Sequence, residues 1–302
     1  MTASVPPIAR LRTYASFVRF EHTLFTLPLI LAGIFSASGP GMSAGRWLLV
    51  AIAAVGARTS AMTLNRLIDR RLDALNPRTR ARELPSGRMR LGEAWALLAG
   101  AIAAYLAACW ALDPAHLLYL KVAAIPLAVF ALYPFTKRFT PLCHLGVGSG
   151  MALAPLAGYL AAHPDLARPW PAVGLGAFTL FWGSGFDIIY STLDEESDRA
   201  NGVRSMVVRL GRKRALRVSG GLHVAAWLAL LAAVSGVLSA ERAHASGWGL
   251  AAAGLLGLAA VLLYFEQRWA EDVNLAFFKV NVWVSAVALA AVLAARTAGG
   301  GF

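Results

Sequence analysis

The sequence predicts an all-α fold, a polytopic membrane helical bundle of about nine transmembrane helices with its N-terminus in the cytoplasm. Three observations predict it. Of 302 residues, 58% are hydrophobic and only 15% are charged, against roughly 25% charged in ordinary soluble domains. Apolar stretches long enough to cross about 30 Å of hydrocarbon as helix recur along the whole chain. The net charge of +12, from 28 Lys+Arg against 16 Asp+Glu, gathers in alternate loops. A chain this apolar leaves no soluble body to carry a basic nucleic-acid footprint, so a nucleic-acid partner is excluded and the lipid bilayer takes its place.

The spans fall, in order, near residues 22–38, 47–65, 93–112, 117–134, 143–162, 171–190, 218–238, 248–265 and 275–295. The first and fifth are the least purely apolar. Pro28, Pro126 and Pro155 lie inside spans, where neighbouring helices can re-satisfy the freed backbone groups. The loops test the count. Residues 66–90 carry eight Arg, Lys137 and Arg138 follow span 4, and residues 199–217 carry seven Lys or Arg, so these loops hold 17 of the 28 basic residues. The intervening loops hold Arg46, none, Arg168 and Arg242. With nine spans all the basic loops share one side with Arg10, Arg12 and Arg19, as the positive-inside rule requires. The reading is therefore a single transmembrane domain over 1–302, multi-pass in the cell (inner) membrane, with the C-terminus outside. No apolar h-region with a cleavage site opens the chain, so no cleaved signal peptide is expected. Cys109 and Cys143 sit in apolar context and predict neither a disulfide framework nor a thiolate metal site.

Half of the acids, eight of 16, lie in the first and third basic loops or at their edges. In the first, Asn65, Asp69 and Asp73 are spaced i, i+4, i+8, which makes one polar stripe on a helix. In the second, Asp187, Asp194 and Asp198 are spaced i, i+7, i+11, within about 20° of one line on an unbroken helix. Tyr190 flanks that face. The bland account is that these acids neutralise neighbouring arginines. Two separate three-residue stripes at span ends argue instead for function. Their oxygen ligands suit Mg²⁺, which takes one or two carboxylates and completes its shell with substrate phosphate oxygens. The surrounding arginines and Lys137 suit the same phosphates. A lipid diphosphate fits such a site, its head at the wet cytoplasmic rim and its tail in the apolar bundle.

The segment NRLIDRRLDALNPRTRARELPSG resembles the first signature of the UbiA-type membrane prenyltransferases, and GFDIIYSTLDEESDRANGVRSMVVRLG resembles the second. Tyr133-Pro134-Phe135-Thr136-Lys137-Arg138-Phe139-Thr140 is similar to the family's loop between spans 4 and 5, and Arg58 stands where the family has an arginine. The resemblance runs from about residue 16 to the ninth span. It implies a nine-helix fold and an Mg²⁺-dependent aromatic prenyltransferase, moving a polyprenyl group from its diphosphate to a hydroxylated aromatic acid in ubiquinone or menaquinone synthesis. By that resemblance Asn65, Asp69 and Asp73 hold one Mg²⁺, and Asp187, Asp194 and Asp198 hold or position another. Tyr190 lies by the departing head group or its cation. Arg58, Lys137 and Arg138 bind diphosphate or the acceptor's carboxylate, and Asp187 activates the acceptor. Pro85-Ser86-Gly87 marks a turn in a loop that, in this family, acts as a lid.

The acceptor it implies is 4-hydroxybenzoate or a close analogue. A dihydroxynaphthoate is the alternative, because Phe20-Glu21-His22-Thr23-Leu24-Phe25 and Gly185-Phe186-Asp187-Ile188-Ile189-Tyr190 resemble a branch associated with menaquinone. A CDP-alcohol phosphotransferase is disfavoured by the missing Asp-Gly and Ala-Arg signature, and a transporter by acids that cluster at one surface rather than at mid-membrane. Glu21 or His22 reads as an interfacial cap or an acceptor contact. His144 beside Cys143 has no partner cluster for a soft metal. Lys279 in span 9 reads as a snorkelling side chain, and Asn281 is unusual there.

Overall fold

The computed structural model describes residues 7–19, 23–37, 39, 41–240, 247–270 and 280–298. Among these residues the regular elements are helices: α1 (Pro7–Phe17), α2 (Thr23–Phe35), α3 (Ala44–Leu75), α4 (Leu91–Leu112), α5 (Leu118–Val122), α6 (Ala124–Thr136), α7 (Cys143–Ala162), α8 (Trp170–Ser191), α9 (Glu195–Ala200), α10 (Met206–Leu210), α11 (Arg212–Ala240), α12 (Gly247–Arg268) and α13 (Asn281–Ala298). A 3₁₀ turn, Thr192–Asp194, separates α8 from α9. Eight segments among the described residues are long and apolar enough to cross a membrane. The expected first span corresponds to α2, whose 13 residues rise only about 20 Å. Glu21, His22 and Lys279 lie outside the described residues.

Large apolar side chains such as Leu48, Val55, Leu132, Leu228 and Leu250 stand exposed along the helices, as on a protein whose solvent is lipid. The chain is an integral membrane protein. Trp95, Trp110, Trp170, Trp248 and Trp269 are exposed near helix ends, the place of interfacial anchors. Trp182 and Trp227 depart from this: one is fully buried in α8, and the other donates to the Leu256 carbonyl at 3.0 Å.

Two local breaks have sequence causes. The expected span 117–134 is α5 and α6, parted at Ala123. Residue 126 is proline, so no N–H is available there for the carbonyl of Val122, the last residue of α5. At the end of α8, Ser191 and Thr192 return their hydroxyls to the carbonyls of Ile188 and Ile189 at 2.8 and 2.7 Å. The chain then tightens into the 3₁₀ turn.

By internal packing the chain falls into two units. The first comprises α1, α3 to α6 and α9. Its core joins Phe17 of α1, Leu67 of α3, Met89 of the following loop, and Ala94 and Leu98 of α4. The amphipathic α1 was not anticipated. α3 is 32 residues long, about 48 Å. It exceeds a hydrocarbon core of about 30 Å by about three turns, and most of its charged residues lie toward its Leu75 end.

The second unit comprises α2, α7, α8 and α10 to α13. Its core is laid down by α8, α11, α12 and α13 around Trp182, which stacks on Phe178 at 5.5 Å. Trp182 Nε1 donates to Glu266 Oε2 at 3.3 Å and Asn281 Oδ1 at 3.2 Å. Asn281, unexpected in a span, is thus an acceptor for a buried indole. α2 meets α7 backbone to backbone. A Cβ at Gly33 would strike the Pro155 carbonyl, and one at Gly158 the Ile30 carbonyl, the small-residue packing that membrane helices use in place of a hydrophobic drive.

Candidate active site

The first signature begins in the C-terminal third of α3. No glycine or proline interrupts residues 57–75, and straight-chain Leu and Arg favour the helix. Asn65, Asp69 and Asp73 therefore share a face, with Arg58 two turns earlier on the same stripe. Asn65 Nδ2 donates to Asp69 Oδ2 at 3.1 Å. Asp69 is 2% exposed and Asp73 7%. Arg82 Nη1 donates to Asp73 Oδ1 at 2.7 Å, and Thr79 Oγ1 donates to the Asp73 carbonyl at 3.0 Å. Arg58 Nη2 reaches the Arg19 carbonyl at 3.5 Å, and buried Arg66 lies over the Phe17 ring.

The loop after α3 is anchored rather than loose. Thr79, Glu83 and Met89 are buried. Ser16 of α1 donates to Glu83 Oε1 at 2.8 Å, and the Met89 N–H to the Glu83 carbonyl at 3.1 Å. The expected turn is present, with Gly87 at φ +73°, a left-handed conformation that glycine adopts without Cβ strain.

The second signature begins on α8. Asp187, one turn from the helix end, pairs through Oδ2 with His144 Nδ1 of α7 at 2.6 Å. The Met206 N–H donates to His144 Nε2 at 3.2 Å. The neighbouring backbone is stitched by the Arg204 N–H to the Lys137 carbonyl at 2.7 Å, Arg204 Nη1 to the Phe139 carbonyl at 3.2 Å and Cys143 Sγ to the Arg204 carbonyl at 3.7 Å. Lys137 is half-buried and Arg138 exposed. Tyr190 is half-buried against the core of the second unit.

Asp194 ends the 3₁₀ turn and Asp198 lies in α9. The straight i, i+7, i+11 line expected of an unbroken α-helix is therefore interrupted, because each 3₁₀ residue turns through about 120° instead of 100°. Just after α9, the Val203 N–H donates back to the Asp198 carbonyl at 2.9 Å. Asn201 Nδ2 donates to the Ser197 carbonyl at 2.8 Å, with Gly202 at φ +69° closing the turn.

Asn65 is thus brought to Asp69, Asp73 to Arg82, and Asp187 to His144. Sequence reasoning missed Arg82 as a partner, and it missed His144 because it was weighed only as a metal ligand. The available signal was an ionisable residue at a span end, which needs a polar partner on a facing helix. Among the described residues no three His, Cys, Asp or Glu side chains form a ready-made metal cage. The donor set is nevertheless one of amide and carboxylate oxygens, which fits Mg²⁺ drawing part of its shell from phosphate.

A model of the UbiA prenyltransferase family matches residues 26–285. A 4-hydroxybenzoate octaprenyltransferase of Burkholderia pseudomallei (strain 668) is 30% identical over 297 residues, covering 95% of this chain and 97% of its own. The apo structure of a UbiA homolog from Aeropyrum pernix K1 superposes with a TM-score of 0.77 at 31% identity, covering 90% of this chain and 97% of its own. A UbiA homolog from Archaeoglobus fulgidus, solved with GPP and Mg²⁺, shares the fold at a TM-score of 0.68 and 17% identity, covering 94% and 99%.

Proposed function

The chain belongs to the UbiA prenyltransferase family, and from that premise we propose that it moves a polyprenyl group from its diphosphate to a 4-hydroxybenzoate-like acceptor in respiratory quinone synthesis. The observation that carries this reading is the match, over 95% of this chain and 97% of the relative, to a protein named for that transfer. The acidic stripes supply the chemistry. Asn65, Asp69 and Asp73 would hold one Mg²⁺, and Asp187, Asp194 and Asp198 would hold or position another, as one catalytic domain over 1–302. Bound there, the ions neutralise charge developing on the leaving diphosphate.

The chain's own groups do the rest. Arg58, Lys137 and Arg138 engage phosphate oxygens or the acceptor's carboxylate. Tyr190 lines the allylic end. Asp187 takes the phenolic proton as the ring carbon bonds to C1 of the prenyl chain and diphosphate departs with the C–O electrons. The ring then loses its own proton to diphosphate or water, and the phenol recovers one from Asp187. The bundle keeps water from the allylic cation. The basic loops favour a site on the cytoplasmic face of the inner membrane, by the positive-inside tendency.

The test is purified protein in lipid with radiolabelled polyprenyl diphosphates of graded length, Mg²⁺, and either 4-hydroxybenzoate or a dihydroxynaphthoate. Prenylated 4-hydroxybenzoate, lost on chelation with EDTA and restored by Mg²⁺, is expected. Product from the naphthoate alone overturns the acceptor. No product from any aromatic acceptor overturns the class.

A further inference from the structure

His144 is 3% exposed and has both ring nitrogens engaged. Nε2 faces the Met206 N–H at 3.2 Å. A backbone N–H can only donate, so Nε2 is the acceptor and carries no proton. The ring's remaining proton is then on Nδ1, which lies 2.6 Å from Asp187 Oδ2 and donates to it. One carboxylate oxygen is thereby claimed and the side chain's rotation is fixed, so Oδ1 is the oxygen turned to whatever Asp187 serves. The same ring ties α7, α8 and the start of α10 together. The Lys137–Thr140 loop is held to Arg204 by two further bonds from that segment. Lys137 and Asp187 are therefore mounted on one stitched frame.

We propose that His144 is a positioning residue for Asp187. It is locked as the Nδ1–H tautomer by the Met206 backbone, and it holds one carboxylate oxygen so that the other is presented to the aromatic acceptor. The inference rests on the transferase reading for its consequence, but its geometry stands apart from activity. Side-chain stereochemistry supplies discriminating variants. The amide nitrogen of Asn lies where His carries Nδ1, so His144→Asn keeps the donor to Asp187. Gln reaches only the Nε2 position, so His144→Gln keeps the Met206 contact and loses the donor. His144→Leu loses both.

Two measurements test it. In protein with ¹⁵N-labelled histidine, the resonances absent from His144→Asn identify His144. A protonated Nδ1 and a bare Nε2 are expected, and Asp187→Asn should shift the Nδ1 resonance. An Nε2–H tautomer or an imidazolium overturns the proposal, whatever reaction the protein performs. In steady-state assays, His144→Leu and His144→Gln should lower kcat by about 10–100-fold, the usual cost of losing a group that orients a working ligand. KM for the prenyl diphosphate should hold, and His144→Asn should regain most of the rate. Gln matching or exceeding Asn, or Leu retaining wild-type kcat, overturns it. A wild-type protein inactive with every acceptor overturns the transferase reading and leaves the resonance test to decide the positioning role.

Discussion

Gly148 of α7 faces α8 so closely that a methyl group has nowhere to go. A Cβ there would strike the Leu180 carbonyl oxygen and Ser184 Oγ. Neither yields cheaply: the carbonyl is helix backbone, and the Ser184 hydroxyl is committed to that same carbonyl at 2.7 Å. Restoring van der Waals distance requires α7 and α8 to part by roughly 1 Å. Overpacking of this kind costs about 1–3 kcal/mol, and loss of the Ser184 bond adds about 1 kcal/mol. His144 lies one turn before Gly148 on the same helix, so the separation also pulls its ring from Asp187. A misplacement near 1 Å at a reacting centre costs about 100-fold in rate. Gly148→Ala should therefore lose about 2–4 kcal/mol and most of kcat. Gly254 of α12 is the control, since nothing lies within 4 Å of its Cβ position. Gly254→Ala should be neutral or more stable by up to about 1 kcal/mol through helix propensity. The assay is thermal and denaturant unfolding in detergent alongside prenyl transfer in lipid. Gly148→Ala within about 0.5 kcal/mol of wild type, with full activity, would refute the close-packing argument.

Further expectations follow from the same geometry. Asp69→Asn and Asp73→Asn should abolish turnover while unfolding near the wild-type temperature; retained activity contradicts their role. Arg82→Ala strands the Asp73 carboxylate and should cost about 1.5–3 kcal/mol, whereas Arg88→Ala, an exposed guanidinium only loosely paired with buried Glu83 at 3.8 Å, should cost under about 1 kcal/mol. Trp182→Phe leaves Glu266 and Asn281 acceptors buried without their shared donor and should destabilise by about 1–3 kcal/mol; unchanged melting would count against that network. His163, beyond the end of α7, has its pKa lowered by burial and by nearby Arg296, against opposing contributions from Asp165 and the backbone at Ile34 and Ala37. The folded protein thus resists protonating His163 while the unfolded chain does not. Its stabilisation is complete above the ordinary value of 6.5 and is lost as pH falls below it. Melting temperature measured against pH should flatten there in His163→Asn.

Much of this is legible in the amino-acid sequence. The helices, their order and the face shared by Asn65, Asp69 and Asp73 follow from hydropathy and a period of 3.6, which a long uninterrupted helix obeys. The second stripe was less legible. Its spacing assumes a regular helix, and Ser191 and Thr192 spoil that regularity by bonding backward, a local choice that periodicity does not register. His144 was harder still. Its partners Asp187 and Met206 are 43 and 62 residues away, and only helix packing brings them together. Arg82 was read as one more phosphate-binding cation because composition counts charges without saying which are already committed.

The loop between α3 and α4 is tied down along its length. With Thr79, Glu83 and Met89 buried, and Ser16 of α1 bonded to Glu83, its backbone has already surrendered most of its conformational freedom. A flexible cover would have to lose that freedom each time a charged head group arrived, at about 1–2 kcal/mol for every residue ordered. Here the ordering is completed during folding. Affinity for the head group should then respond steeply to ionic strength and to single charge changes, and weakly to loop glycine or proline substitutions.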